Sequence, residues 1–120
     1  MKVKIIIAGG REFKDYKLLK ERCDYYLSKA VKRGYDIEIV SGTARGADKL
    51  GERYAKERGY KIAYFPADWS QGKSAGYKRN EQMAIYADAL IAFWDGDSRG
   101  TNHMINLAKE HKLHVRIVNY

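Results

Sequence analysis

The stretch from Asp88 to Thr101, DALIAFWDGDSRGT, carries the strongest signal for binding chemistry in this sequence of 120 residues. Residues 89–94 form an apolar run typical of a buried strand, which leads through Asp, Gly and Ser to a helix start. Such a start exposes unpaired backbone N–H groups and the positive end of the helix dipole, where an anion binds. Arg99 adds a planar cation that matches phosphate. The sequence therefore predicts a nucleotide phosphate site formed by Asp95, Gly96, Ser98, Arg99, Gly100 and Thr101.

Glycines follow four predicted strands, at the ends that meet along one edge of a parallel sheet. They are Gly9, Gly10, Gly42 and Gly46 with the neighbouring Ser41, then Gly72, Gly76, Gly96 and Gly100. Glycine lets a backbone approach a ligand closely, although any single one of them can serve loop geometry alone. Four such loops on one edge favour a binding site. Neither standard fingerprint is present: GxGxxG is absent, and Ala67 stands where a Walker A loop requires glycine, which excludes a P-loop NTPase.

Charged and aromatic side chains follow the same strand ends. Four arginines lie there and can reach a phosphate, and they are Arg11, Arg45, Arg79 and Arg99. Asp48 is predicted in the first turn of a helix, either as a dipole-stabilising residue or as a hydroxyl-binding or structuring carboxylate. Trp69 lies in a long predicted loop, where it either stacks on a base or covers the edge of the core. No nucleophilic triad or pair of catalytic carboxylates follows from the spacing.

Apolar patterns predict alternating strands and helices throughout the chain. The strands are predicted over 3–8, 37–40, 61–65, 89–94 and 113–118, and the helices over 15–33, 47–58, 77–87 and 101–111. The fold class is therefore α/β, a Rossmann-like doubly wound parallel sheet of about five strands with helices on both faces. Right-handed crossovers give the order 3-2-1-4-5, and ligands bind where that order reverses. We expect a single domain over residues 1–120.

Composition narrows the class of protein further. The net charge is +8, from 23 Lys and Arg against 15 Asp and Glu, which favours acidic partners such as phosphorylated small molecules or nucleic acid. A lone cysteine, Cys23, excludes an internal disulfide, and no Cys/His cluster has the spacing of a metal site. No segment reads as a signal peptide or a membrane helix. We therefore expect a cytoplasmic protein with no cofactor, no metal and no membrane partner.

Five segments together resemble the small YspA-like branch of the SLOG superfamily: IIIAGGREF, SGTARGAD, FPADW, GKSAGYKRNEQM and DALIAFWDGDSRGT. They cover nearly the whole chain. Parts are similar to the DNA-processing family DprA (Smf), including the arginine and asparagine at Arg79 and Asn80, and that resemblance implies binding of single-stranded DNA. Parts are also similar to the Lonely Guy phosphoribohydrolases, which cleave the N-glycosidic bond of nucleoside 5′-monophosphates. The resemblance implies a homodimer as well.

The match to the phosphoribohydrolases carries over at some positions and not at others. Gly100 and Thr101 match the phosphate-binding pair of that family, and Arg79 matches its catalytic arginine. The position of the catalytic glutamate is Met104, which can neither stabilise an oxocarbenium-like state nor activate water. Asp95 replaces the first glycine of the family's turn, and substitutes for the glutamate are open among Asp95, Asp97 and Glu81.

Three hypotheses about function follow. The first is a module that senses, sequesters or processes a nucleotide or nucleotide-derived ligand, with its phosphate on the 96–101 turn and Arg79. In that hypothesis the base or ribose lies against residues 9–11 and Trp69. The second is a phosphoribohydrolase with a displaced acid. The third is a protein that binds single-stranded nucleic acid.

Overall fold

The computed structural model describes residues 1–120 as strands and helices that alternate along the chain. The strands are β1 (Lys2–Gly9), β2 (Asp36–Ser41), β3 (Lys61–Tyr64), β4 (Ala89–Trp94) and β5 (His114–Asn119). The helices are α1 (Tyr16–Lys32), α2 (Ala47–Arg58), α3 (Ala75–Tyr86) and α4 (Arg99–Glu110), with a short 3₁₀ turn (Trp69–Gln71) before α3. Each predicted strand and helix is present, and the α/β class is confirmed.

The five strands form one parallel sheet in the order β3-β2-β1-β4-β5, which confirms the predicted topology. β1 is the central strand, and the order reverses between β1 and β4. These two strands end side by side, with Gly9 paired to Phe93. In sheets of this kind the helices on either side diverge at the reversal and leave a crevice beyond the strand ends. The loops after β1 and β4 are therefore the walls of that crevice.

The three central strands, β2, β1 and β4, are buried on both faces, because each face of the sheet is covered by two helices. On β1, Ile5 and Ile7 belong to the core beneath α1 and α2, whereas Ile6 and Ala8 belong to the core beneath α3 and α4. This alternation follows from the two-residue period of a strand. A fully buried aliphatic side chain such as Ile6 contributes roughly 1.5–3 kcal/mol to folding. None of the helices has the length and apolar character needed to cross a membrane.

Two helices begin earlier than predicted. α4 begins at Arg99 rather than at Thr101, because the Ser98 side chain caps it and accepts a hydrogen bond from Thr101 N (3.4 Å). α3 begins at Ala75 rather than at Tyr77, because the buried Ala75 and the following Gly76 already have helical geometry. Serine and glycine are typical of loops, so a prediction from residue preferences assigned both helix starts too late. The consequence is that Arg99 belongs to a helix rather than to the preceding turn.

The loop after β1 depends on a glycine that has no room for a side chain. A Cβ at Gly9 would lie 2.4 Å from the Phe93 carbonyl oxygen and 2.8 Å from Ala47 Cβ. The neighbouring Gly10 is different, since a Cβ there would meet only the hydroxyl end of Tyr120, at 2.4 Å. Gly10 also accepts hydrogen bonds from Ala47 N and Phe13 N through its carbonyl oxygen. The start of α2 is therefore held against the end of β1.

We expect Gly9→Ala to lower the free energy of unfolding by about 1–3 kcal/mol, the usual cost of overpacking a close contact. Gly10→Ala is the matched control and should cost less, because Tyr120 can rotate away whereas a backbone carbonyl cannot. Urea denaturation of both variants measures the difference. Equal losses in the two variants would show that close packing at Gly9 is not the constraint.

Candidate functional site

A cleft lies at the predicted place, beyond the carboxyl ends of β1 and β4. It has a volume of about 420 Å³. Residues from the loops after β1, β2 and β4 form its walls, together with side chains of α3 and α4 and the last residue of the chain. Eleven of the predicted site residues line it, and they are Gly9, Gly10, Arg11, Arg45, Asp48, Arg79, Asn80, Asp95, Ser98, Gly100 and Thr101.

Arg79 is buried at the floor of this cleft. Its Nη1 donates to the Gly42 carbonyl oxygen, and its Nε donates to Asn80 Oδ1 (3.1 Å). Asn80 in turn directs its amide nitrogen towards the Gly100 carbonyl oxygen (3.4 Å) and His103 Nδ1 (3.2 Å). The guanidinium therefore connects the loop after β2 with the first turn of α4. Burial lowers the pKa of Arg79, and no carboxylate forms an ion pair with it.

Asp48 is the second buried charged group of the cleft, with 6% of its surface exposed. Its Oδ2 accepts a hydrogen bond from Ala44 N (3.1 Å), and no donor of the chain bonds its Oδ1. Burial raises the pKa of Asp48 to about 6, against the opposing effects of the Ala44 hydrogen bond and the positive charge of Arg79. Asp48 therefore retains a weakly basic carboxylate beside a buried cation.

Gly42 separates these two charged groups. A Cβ at this position would lie 2.8 Å from Asp48 Oδ2 and 2.9 Å from Arg79 Nη1. The loop itself is held by Ser41, whose hydroxyl donates to Glu52 Oε2 (2.6 Å) and accepts from Thr43 N (3.0 Å). Ser41 and Gly42 thus support the floor of the cleft from below instead of lining it.

The turn between β4 and α4 already directs backbone N–H groups at an anionic side chain of the turn itself, the Asp95 carboxylate. Asp95 Oδ1 accepts hydrogen bonds from Asp97 N (2.8 Å) and Ser98 N (2.9 Å), and these bonds lower the pKa of Asp95. The Ser98 hydroxyl accepts a hydrogen bond from the N–H of Thr101. The N–H groups of Arg99 and Gly100 are left without an acceptor in the chain. A Cβ at Gly100 would meet open space, so a ligand can approach this helix end closely.

The outer wall of the cleft carries two further arginines. Arg45 is exposed and forms an ion pair with Glu12 (2.6 Å), a contact that lowers the pKa of Glu12. Arg11 makes no ion pair, and its guanidinium carbon lies 5.9 Å from the centre of the Trp69 ring. Arg11 and Arg79 are therefore the cations of the cleft that form no ion pair, and Asp48 is its buried carboxylate that forms none.

Six predicted site residues lie outside the main cleft: Ser41, Gly42, Gly46, Trp69, Gly96 and Arg99. Gly42 and Trp69 line an adjoining depression of about 320 Å³, which shares Arg11, Ala44 and Arg45 with the main cleft. Gly46 has a positive φ of 82° and packs against the Gly10 carbonyl oxygen. Arg99 is exposed and lines none of these depressions, because the early start of α4 places it on the first turn.

Sequence reasoning missed the other residues that line the cleft: Ala8, Glu12, Ala44, Met83, Met104 and Tyr120. Ala8, Ala44 and Glu12 are neighbours of predicted residues, so wider ranges would have included them. Tyr120 follows β5, whose carboxyl end lies beside that of β4 in the predicted strand order. Met104 places a thioether in the wall where the phosphoribohydrolases have a glutamate, whereas the exposed Asp97 and Glu81 do not line the cleft.

Comparison with known proteins agrees with this architecture. The model of a family described as YspA, cpYpsA-related SLOG family matches residues 3–72. The chain belongs to this family. The gene 61 protein of Mycobacterium phage D29 is 32% identical to this SLOG protein over 124 residues, which cover 98% of this chain and 95% of the phage protein. The resemblance inferred from sequence motifs is thereby confirmed.

Two solved structures share the fold of this SLOG protein. DNA processing protein A from Helicobacter pylori, described as having a unique single-stranded DNA binding mode, superposes with a TM-score of 0.67 and 18% identity. That match covers 98% of this chain and 66% of the Helicobacter protein, so this chain spans slightly less than two thirds of it. TM1055, a LOG-like protein, superposes with a TM-score of 0.66 and 17% identity over 96% of this chain and 72% of that one.

We expect Asp48→Asn to stabilise this SLOG protein at neutral pH. The pKa of Asp48 lies near 6 in the folded state, above its ordinary value of 3.8, so the folded state binds more protons between these values. Ionised Asp48 therefore costs about 2–3 kcal/mol of stability above pH 6, and this cost disappears as the pH falls towards 4. Urea denaturation at several pH values compares wild type and variant. A stability difference that does not change with pH would contradict the raised pKa.

Proposed function

We propose that the cleft binds a nucleotide or a nucleotide-derived ligand, with its phosphate between Arg79 and the first turn of α4. The observation that carries this proposal is the burial of Arg79 with only neutral hydrogen-bond acceptors, Gly42 O and Asn80 Oδ1. Asp48 is near enough to act on the charge of Arg79 but forms no ion pair with it, so the buried cation is only partly compensated, and an anionic ligand supplies a direct partner. The proposed module senses, sequesters or processes its ligand.

The second support is the position of α4. The positive end of this helix of 12 residues opens into the cleft through Ser98, Gly100 and Thr101. The free N–H groups of Arg99 and Gly100 are suitable donors to phosphate oxygens. Arg11 adds an unpaired charge from the opposite wall. The rest of the ligand then extends along the loop after β1 towards Trp69, which is 57% exposed and offers a flat surface for a base.

Hydrolysis of the N-glycosidic bond is the less supported form of processing at this site. Where the phosphoribohydrolases have their catalytic glutamate, this chain has Met104, an apolar residue of the cleft wall that is 1% exposed. The nearby Asp95 carboxylate is engaged by two backbone N–H groups of its own turn. Arg79 supports either a binding or a hydrolytic site, so the choice depends on a measurement of products.

We expect Arg11→Gln and Arg79→Gln each to weaken nucleotide binding by about tenfold or more, the effect of losing a hydrogen bond to a charged group. Calorimetric titration with nucleoside mono- and diphosphates measures the loss, and product analysis of the same samples detects free base. Arg22→Gln on α1 is a charge-matched control with an exposed arginine. Arg99→Gln should have a smaller effect than Arg11→Gln, because Arg99 does not line the cleft. Equal affinities for wild type and all variants would refute the proposal.

Gly100 allows stability and ligand binding to be tested separately. We expect Gly100→Ala to leave the melting temperature unchanged or raised, because a Cβ there meets open space and alanine favours the helix. Nucleotide affinity should fall in the same variant, because the added methyl group obstructs the approach of a phosphate to the helix end. Unchanged affinity in a fully folded Gly100→Ala variant would place the phosphate elsewhere in the cleft.

Binding of single-stranded nucleic acid is the second candidate. Trp69 is exposed beneath Arg11, and aromatic residues next to cations are the usual stacking sites for unpaired bases. The fold shared with DNA processing protein A and the net charge of +8 favour the same candidate. A complex of this kind should form with oligonucleotides in gel shifts and weaken steeply as salt is raised. Absence of a complex at low salt would eliminate it.

A further inference from the structure

Two carboxylates of α2 are buried to the same extent, but only one of them is satisfied within the protein. Asp48 and Glu52 are each 6% exposed. Glu52 accepts a hydrogen bond from Ser41 Oγ (2.6 Å) through one oxygen and pairs with Lys49 (3.5 Å) through the other. Asp48 receives one backbone N–H, from Ala44, and its other oxygen has no donor. Glu52 does not line the cleft, whereas Asp48 does.

A buried ionised carboxylate accepts hydrogen bonds only, so the group that completes Asp48 must be a donor. A phosphate oxygen cannot serve, because it is an acceptor that carries the same charge. In a nucleotide the remaining donors are the sugar hydroxyls and the amino or ring N–H groups of the bases. A hydrogen bond from such a group to an ionised acceptor is stronger than one between neutral groups. Asp48 therefore marks the end of the cleft that receives the uncharged part of the ligand.

The position of Asp48 favours the sugar over the base. Asp48 and Arg79 lie on either side of Gly42, each within 3 Å of the point that a Cβ would occupy. A phosphate held by Arg79 is thus close to Asp48, and in a nucleoside phosphate the group next to the phosphate is the sugar. The exposed Trp69, in the adjoining depression, is the surface available to the base.

We infer that Asp48 binds the ribose hydroxyl pair of the ligand and makes the cleft selective for ribonucleotides over 2′-deoxyribonucleotides. This inference rests on the proposed nucleotide-binding function. It also separates the two candidate functions at this site, because single-stranded DNA carries no 2′-hydroxyl. A carboxylate placed to accept from a sugar hydroxyl distinguishes the two sugars by the loss of that bond.

The test is calorimetric titration of the full chain with the four ribonucleoside 5′-monophosphates and their 2′-deoxy counterparts. Wild type should bind at least one ribonucleotide about tenfold or more tightly than its deoxy form. Asp48→Ala should reduce this ratio to near one, because it removes the acceptor that distinguishes the two sugars. Asp48→Asn, which retains an acceptor for Ala44 N, should reduce the ratio as well and serves if the alanine variant is unstable. Asp36→Asn removes the same charge from an exposed residue at the start of β2, away from the cleft, and should keep the wild-type ratio.

Each result has one meaning. Equal affinity of wild type for ribose and deoxyribose forms would overturn the role of Asp48 and leave nucleotide binding intact. A strong preference that survives in both Asp48 variants would also overturn it, since another group would then recognise the sugar. Binding of none of the eight nucleotides, at concentrations up to those at which the folded protein stays monodisperse, would reject the proposed function itself.

Discussion

The buried guanidinium of Arg79 is the interaction on which the site depends. It joins the loop after β2 directly, through Gly42, to the first turn of α4 through Asn80. A planar cation with donors in fixed directions can hold Gly42 and Asn80 at once, whereas a lysine ammonium lacks that geometry. The absence of a side chain at Gly42 is a condition of this arrangement, since a methyl group would displace Arg79 or Asp48. The positions of the two charged groups, Asp48 and Arg79, therefore depend on the close packing at Gly42.

Close packing of α2 against β1 is what brings Asp48 to this floor. Gly9 and Gly46 remove the side chains that would separate the helix from the strand end, and Gly10 bonds the first N–H of α2 through its carbonyl oxygen. Asp48 then lies in the first turn, where the helix dipole favours a negative charge. The dipole and Arg79 offset part of the cost of burial, and the remainder appears as a raised pKa.

The fold was predictable because local and long-range signals agree. The apolar run Ala89–Trp94 could be assigned to a strand with its exact bounds and the other four strands to within one residue, and alternation with helices left few topologies. The location of the cleft followed from the strand order. Helix starts were less predictable: α4 begins after the local cap that Ser98 forms with Thr101, and α3 begins at the buried Ala75. Arg99 therefore lies on α4 instead of in the preceding turn. The ion pair of Arg45 with Glu12 and the hydrogen bonds of the Asp95 carboxylate to its own turn depend on side-chain geometry. Residue spacing does not reveal this geometry.

The Asp95 carboxylate has a consequence for how fast and how strongly this turn can bind. Its bonds to two N–H groups hold the loop folded before any ligand arrives, so association carries little entropic penalty for ordering the chain. The same carboxylate repels an incoming phosphate and occupies donors that a glycine would leave free. Under the proposed function, a phosphate at this turn would find only the N–H groups of Arg99 and Gly100 free, which favours weak and reversible binding.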